Sequence, residues 1–146
     1  MIYIGIDPGK HGAYAIIDED STAQVWPWDD SEFATRMRGL NHLPHVMACV
    51  EKVGAMPGQG VNSMFNFGKS AGYIEGVLTA LGIPYQLILP KKWKGEFGLN
   101  SDKVESVKVC KQLFPDVSLL SSSRCRKESD GMAEALLMAL YAKRKL

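Results

Sequence analysis

The sequence has few cysteines and little net charge, and each of these absences argues against a class of protein. Its three cysteines, Cys49, Cys110 and Cys125, are odd in number, widely spaced and form no Cys-x-x-Cys pair. This pattern argues against a disulfide framework or a zinc site and favours reduced thiols in the cytosol. The formal net charge is only +1, so overall charge does not indicate a nucleic-acid partner.

Long apolar runs are also missing. No stretch approaches the roughly 20 apolar residues that a membrane span needs, and the first residues carry no basic leader or small-residue cleavage site. We therefore expect neither a membrane segment nor a secretion signal. With 146 residues, 46% of them hydrophobic and 23% charged, the composition is that of an ordinary globular protein. We find no repeat or linker and expect one domain, 1–146.

The opening stretch predicts a strand, a tight turn and a second strand. Apolar residues alternate through residues 2–6, and Asp7 follows at once. Pro8-Gly9 then turns the chain, and Gly12 leads into a second apolar run, 13–17. A carboxylate at a strand end is well placed to meet a metal or a phosphate. The alternative is that Asp7 is only a turn residue.

The remaining strand patterns predict a mixed sheet. Residues 22–28 continue an antiparallel meander, and the unbroken apolar run 46–50 is typical of a strand buried on both faces, ending on Glu51. A long helix separates that strand from the next, 85–89, so the two should be parallel. We predict an α/β fold with three antiparallel strands, then two parallel ones, and helices on both faces.

Helices are predicted from apolar periodicity and capping residues. They begin near Ser31, at Asn62 or Ser63, at Asn100 or Ser101, and near Ser129, whereas 91–98 is predicted to be a basic loop and 118–127 an irregular one.

The long helix contains small residues at every fourth position. Gly68, Gly72, Gly76 and Ala80 form one strip without bulk, although each helical glycine costs about 1 kcal/mol relative to alanine. Such a strip indicates that another backbone approaches closely. The simpler interpretation is tight packing onto the sheet; the alternatives are a subunit contact or a DNA backbone.

Two further acids lie on the last helix. Asp130 and Glu134 are four residues apart and share one helical face. If the first and fourth strands are parallel neighbours, Asp7 and Glu51 end at the same sheet edge, where a helix packed across it would add this pair. Four such carboxylates would repel one another unless hard cations bound them, and Mg²⁺ or Mn²⁺ fits best. Two ions about 4 Å apart would suit phosphodiester cleavage.

These residues resemble a known family. The motif Gly5-Ile-Asp-Pro-Gly-x-x-Gly12 is similar to the opening of the RuvC-type Holliday junction resolvases, of the RNase H-like superfamily. The resemblance includes Glu51, the glycine-rich helix, the fifth strand with its following lysines, and the Asp-x-x-x-Glu-Ala-Leu sequence at 130–136. It spans nearly the whole chain, and phage-encoded members look most similar, which would place the protein in the host cytoplasm.

The resemblance implies a homodimeric, structure-selective endonuclease of DNA recombination and repair. It would resolve Holliday junctions, and other branched DNA, through paired nicks, without a nucleotide cofactor. Its catalytic residues and metal ligands would be Asp7, Glu51, Asp130 and Glu134, holding two Mg²⁺ ions for which Mn²⁺ substitutes. The DNA-contacting side chains would be Lys10, Phe65, Phe67, Lys69, Lys91, Lys92, Lys94, Arg124, Arg126 and Lys127. The two phenylalanines have core packing as an equal alternative.

The sequence departs from the family pattern in two respects. Many bacterial members space the last two acids by three residues and end on Asp, whereas the spacing here is four and the second acid is Glu134. Glu128 is a possible substitute ligand. The bacterial proteins are also more basic, which leaves junction selectivity open.

Other functions share parts of this pattern. A strand ending in Asp-x-Gly also opens the actin-like ATPases, but these need two large domains and the chain is too short. A YqgF-like or RNase H-like nuclease acting on RNA or on RNA–DNA hybrid has the same fold and metals. A non-catalytic nucleic-acid-binding module is the third alternative.

Overall fold

The computed structural model describes residues 1–146 and contains one five-stranded sheet. The strands are β1 (Ile2–Asp7), β2 (Ala13–Asp18), β3 (Ala23–Pro27), β4 (Val46–Glu51) and β5 (Tyr85–Ile88). Their order across the sheet is β3-β2-β1-β4-β5. Strands β1, β2 and β3 pair antiparallel, whereas β4 is parallel to both β1 and β5. The predicted mixed sheet is therefore confirmed.

Five helices accompany the sheet. They are α1 (Asp30–Leu40), α2 (Val61–Ala80), α3 (Pro90–Glu96), α4 (Lys103–Leu113) and α5 (Asp130–Lys145). None of them combines the length and the apolar character that crossing a membrane requires.

Capping residues explain where several helices begin. Ser129 caps α5 as predicted, because its hydroxyl accepts a hydrogen bond from the Met132 amide at 3.2 Å. Asp29, not Ser31, caps α1, because its carboxylate accepts from the Glu32 amide. Asp102 caps α4 by accepting from the Val104 amide, and the predicted start at Asn100 or Ser101 is slightly early.

The prediction of a basic loop at 91–98 is wrong, because most of this segment forms α3. Pro90 occupies its first turn, where the missing amide hydrogen costs nothing. Trp93 is completely buried and joins the apolar core. Burial of this one large side chain fixes a segment whose local sequence carries two glycines and few helix signals.

The core has two layers, one on each face of the sheet. On one face α5 covers Ala13, Ala15 and Cys49. On the other face the side chains of Ile4 and Ile6 pack with residues of α1 and α2. The prediction of helices on both faces is confirmed, and the alternation of side chains along β1 and β2 produces it.

Helix α5 lies unusually close to β1, at Gly5. A Cβ atom at Gly5 would lie only 2.0 Å from the carbonyl oxygen of Ala135 and 2.2 Å from the amide nitrogen of Ala139. No side chain fits there, so glycine in β1 and alanine in α5 set the separation. Eleven of the sixteen residues of α5 are buried as a result.

The glycine strip of α2 does not pack onto the sheet, so that interpretation is wrong. A Cβ atom at Gly68, Gly72 or Gly76 would meet nothing within 4 Å. The buried side of the helix is instead formed by Ile74 and Leu78. The strip is therefore an open surface of small residues.

Candidate metal centre

The centre forms where two parallel strands end under a helix. Asp7 is the last residue of β1 and Glu51 the last of β4, and these strands are parallel neighbours in the sheet. Helix α5 brings in Glu134 from its second turn. One carboxylate oxygen from each of Asp7, Glu51 and Glu134 lies within 4.8 Å of the other two. Three acids that are distant in sequence thus form one cluster.

A glycine lets the helix approach this closely. Gly131, in the first turn of α5, faces the β1–β2 turn. A Cβ atom there would lie 2.3 Å from the carbonyl oxygen of His11 and 3.3 Å from a carboxylate oxygen of Asp7. Gly12 is equally constrained, because its Cβ would overlap the carbonyl oxygen of Asp7. The turn and the helix therefore meet through backbone atoms.

The environment disfavours negative charge on Asp7 and Glu134. Burial, and then the negative charges of Glu134 and Glu51, raise the pKa of Asp7 well above its ordinary value. Burial also raises the pKa of Glu134, although Lys103 and Lys94 oppose the effect. One oxygen of Glu134, Oε1, is buried and accepts no hydrogen bond. An acceptor of this kind is costly unless a cation or donor meets it.

Two lysines partly neutralise the cluster. The Nζ atom of Lys94, in α3, lies 3.6 Å from Glu134 Oε1, and its side chain is mostly buried. Lys103, in α4, lies 3.3 Å from Asp130 Oδ2 and 3.6 Å from Glu134 Oε2. Burial alone would lower the pKa of Lys103, but Glu134 and Asp130 outweigh it and raise the pKa. No pattern in the sequence indicates this contact, because it forms only when α4 packs beside α5.

The other two acids of the prediction lie outside the cluster of three. Asp130 lines the same cavity and is linked to Glu134 through Lys103, but it is not among the three carboxylates within 4.8 Å. Glu128 points elsewhere and pairs with Lys111 at 3.0 Å. Glu134, with its longer side chain and its spacing of four, is the helix acid that reaches Asp7 and Glu51.

Glu51 has a neutral partner. The indole Nε1 of Trp93 donates a hydrogen bond to Glu51 Oε2 at 2.8 Å. Sequence reasoning did not find this contact, because it joins residues 42 positions apart through the packing of α3. The one signal in the sequence was a tryptophan, a residue that is usually largely buried, standing between lysines.

The donor set fits a hard divalent cation. Three carboxylates of like charge converge, two with pKa values raised by burial, and one buried oxygen has no donor. Oxygen-only ligands of this kind suit Mg²⁺ or Mn²⁺ rather than a soft metal. No cysteine belongs to this cluster, and burial raises the pKa of the Cys49 and Cys110 thiols to about 12.

Known proteins with a similar fold were found, but none with a similar sequence. No protein-family model matches the chain, and no curated protein is similar to it in sequence. Among solved structures, Thermus thermophilus RuvC in complex with a Holliday junction substrate superposes with a TM-score of 0.58. At 16% identity the match covers 99% of this chain and 97% of that one. The chain has the resolvase fold.

A viral protein gives the same result. The fowlpox virus resolvase, solved with Holliday junction DNA, superposes with a TM-score of 0.54 at 19% identity. The match covers 97% of this chain and 98% of the resolvase. A second structure of Thermus thermophilus RuvC superposes with the same TM-score, 0.54, at 17% identity. The resolvase fold therefore accounts for nearly the whole chain.

Three of the predicted DNA-contacting residues line the cavity in front of the acids. This cavity of about 680 Å³ is lined by Lys10, Phe67 and Lys94, together with Asp7, Glu51, Asp130 and Glu134. Phe67 is 36% exposed and Phe65 is 71% exposed, so the alternative prediction that they pack in the core is wrong for both. Lys127 lines a smaller neighbouring cavity. The other five predicted contacts, Lys69, Lys91, Lys92, Arg124 and Arg126, are exposed outside the main cavity.

Proposed function

We propose that the chain is a structure-selective endonuclease that resolves Holliday junctions, and other branched DNA, by metal-dependent phosphodiester hydrolysis. The observation that carries the proposal is the cluster of Asp7, Glu51 and Glu134 at the strand ends of a resolvase fold. Two proteins that share this fold, Thermus thermophilus RuvC and the fowlpox virus resolvase, have been solved in complex with Holliday junction DNA.

The chain's own residues divide the work between metal and DNA. Asp7, Glu51 and Glu134 would hold the ion or ions, with Asp130 at the rim. Two Mg²⁺ ions, or Mn²⁺ in their place, would activate a water and stabilise the leaving oxygen. Burial of Glu134 and Lys94 keeps the inner part of the site poor in water, which strengthens electrostatic interactions there.

Lys103 supplies a positive charge at the rim of the cavity. Its side chain is 60% exposed and touches Asp130 and Glu134. In this proposal those acids bind cations when DNA is present, which leaves the ammonium group of Lys103 available to a phosphate oxygen. Lys10 and the exposed lysines and arginines would add contacts to the DNA backbone, which make binding salt-dependent and insensitive to sequence.

The proposal includes a homodimer. A four-way junction has near two-fold symmetry, so two active sites related by two-fold symmetry would nick paired strands. The open glycine strip of α2 is the surface we assign to this contact, because nothing in the chain covers Gly68, Gly72 and Gly76. Phe65 and Phe67, near the start of the same helix, would then lie close to the branch point.

The experiment compares four substrates and three proteins. Cleavage by the wild type, Asp7→Asn and Asp20→Asn is measured with Mg²⁺ or Mn²⁺. The substrates are a four-way junction, a flap, a linear duplex and an RNA–DNA hybrid. Asp20 is an exposed acid in the β2–β3 turn and provides a matched control. We expect the wild type and Asp20→Asn to cleave the junction and Asp7→Asn to be inactive. Cleavage of the hybrid alone, or normal junction cleavage by Asp7→Asn, would contradict the proposal.

A further inference from the structure

Of the three clustered carboxylates, only that of Glu51 has a hydrogen-bond donor in the protein. That donor is the indole Nε1 of Trp93, at 2.8 Å from Oε2. Glu134 Oε1 lacks a hydrogen-bond partner, and the lysines near Glu134 lie at 3.6 Å, beyond hydrogen-bond distance. The contact between Trp93 and Glu51 is therefore a specific feature of the site.

The donor is held more rigidly than a surface group would be. Trp93 has no exposed surface and packs in the core layer that contains α5. Its backbone belongs to α3, which follows β5, and β5 pairs with β4 so that Ile88 lies opposite Glu51. Strand register and core packing thus place the indole N–H next to the carboxylate without any mobile link.

The donor is also neutral, which separates its effect from that of the lysines. An ammonium group near a carboxylate competes with a metal cation for the same negative charge. An indole N–H occupies one carboxylate oxygen without cancelling its charge, so the residue stays an attractive ligand for a cation. Partners of this kind, which orient a metal-binding side chain, affect metal affinity strongly.

We propose that Trp93 is a positioning residue that holds the Glu51 carboxylate in place as a metal ligand and thereby sets the affinity of the centre. Its N–H fixes the carboxylate where an oxygen lies within 4.8 Å of the ligand oxygens of Asp7 and Glu134. The inference rests on the proposed function, because it assumes that these acids bind a divalent cation. A purely structural Trp93 would fill the core and leave metal affinity unchanged.

The test removes the donor and keeps an aromatic side chain. Trp93→Phe lacks the N–H, and Trp26→Phe is the matched control, since Trp26 lies in β3 and contacts Tyr14 and Arg36 instead of the acids. Mn²⁺ binding to the DNA-free proteins is measured by calorimetry. We expect Trp93→Phe to bind Mn²⁺ about 10- to 100-fold more weakly than the wild type. Trp26→Phe should match the wild type.

Two further measurements distinguish a positioning role of Trp93 from a general effect of the substitution on folding. Junction binding without metal should stay within about two-fold of the wild type, because the fold and the basic surface remain. The Mn²⁺ concentration that gives half-maximal cleavage should rise by the same factor as the dissociation constant, with the rate recovering at high Mn²⁺. If Trp93→Phe does not fold, 3-benzothienylalanine at position 93 replaces the N–H by sulfur at nearly constant volume.

The outcomes distinguish this inference from the proposed function. Equal Mn²⁺ affinity of the wild type and the folded position-93 variant, with wild-type cleavage intact, would overturn the inference and leave the nuclease standing. A wild type that binds no Mn²⁺ and cleaves nothing would overturn the metal centre itself. Weaker Mn²⁺ binding confined to the position-93 variant supports the inference.

Discussion

Replacing Gly131 by alanine tests whether close approach of α5 builds the site. In an ordinary exposed helix this change stabilises the protein by up to about 1 kcal/mol, because glycine is a poor helix former. At Gly131 the new Cβ would lie 2.3 Å from the His11 carbonyl oxygen and 3.3 Å from an oxygen of Asp7. Neither the carbonyl nor the helix backbone can rotate away as a flexible side chain would.

The size of the effect follows from that overlap. The 2.3 Å separation is roughly 1 Å short of van der Waals contact, so the helix start must move outward. Overpacking of this kind costs about 1–3 kcal/mol, which cancels or exceeds the propensity gain. Glu134 moves with the helix, and a displacement of about 1 Å in a reacting group costs on the order of 100-fold in rate. We expect a modest loss of stability and a large loss of activity.

Gly39→Ala is the matched control. Gly39 lies in α1, and a Cβ atom there meets nothing within 4 Å. Urea unfolding should show a gain in stability for Gly39→Ala and none for Gly131→Ala. Junction cleavage at saturating Mn²⁺ should be normal in the former and about 100-fold slower in the latter. If Gly131→Ala gains stability like the control and cleaves normally, the close approach has no role in the site.

Three further predictions concern charge and the glycine strip. Because folding raises the pKa of Asp7, the folded protein binds protons that the unfolded chain has released, so ionisation of Asp7 opposes folding above the unfolded pKa of about 4. The thermal stability of Asp7→Asn in EDTA should therefore exceed that of the wild type increasingly as pH rises from 4, and a constant difference would contradict this sign. Lys103→Gln should tighten Mn²⁺ binding several-fold, because the ammonium group competes with the ion; weaker binding in calorimetry would mean that Lys103 organises the acids. Gly76→Ala should stabilise the monomer by about 0.5–1 kcal/mol yet weaken dimerisation in sedimentation experiments, and an unchanged dimer would place the contact elsewhere.

The sheet and the positions of the strand-end acids were predictable for a physical reason. Alternating or unbroken apolar residues define each strand, and a helix between two strands makes them parallel. Parallel neighbours end at the same edge, so Asp7 and Glu51 must be close once β1 and β4 pair. Glu134 followed from helical periodicity and from the resemblance to the resolvases. None of these steps needs side-chain packing.

The residues that the sequence did not reveal all depend on packing between distant elements. The segment of α3 has no local helix pattern, and it becomes a helix because Trp93 enters the core. Lys103 looks like any solvated lysine until α4 lies beside α5, where it meets Asp130 and Glu134. The surroundings of the helical glycines could not be predicted from the sequence for the same reason. Gly131 faces a backbone and Gly76 faces open space, although both are glycines within a helix.

The construction of the site would also couple metal binding to folding. Its three carboxylates come from β1, β4 and α5, so a bound cation would join both parallel strands to the buried helix. Without the ion, the like charges of the acids and the burial of Glu134 Oε1 without a hydrogen-bond donor oppose the packing of α5. An ion present at 100 times its dissociation constant adds about 2.7 kcal/mol to the stability of a protein that binds it only when folded. The acids therefore weaken the metal-free fold at the place where the metal would reinforce it, and the tight packing at Gly5 and Gly131 keeps them in register.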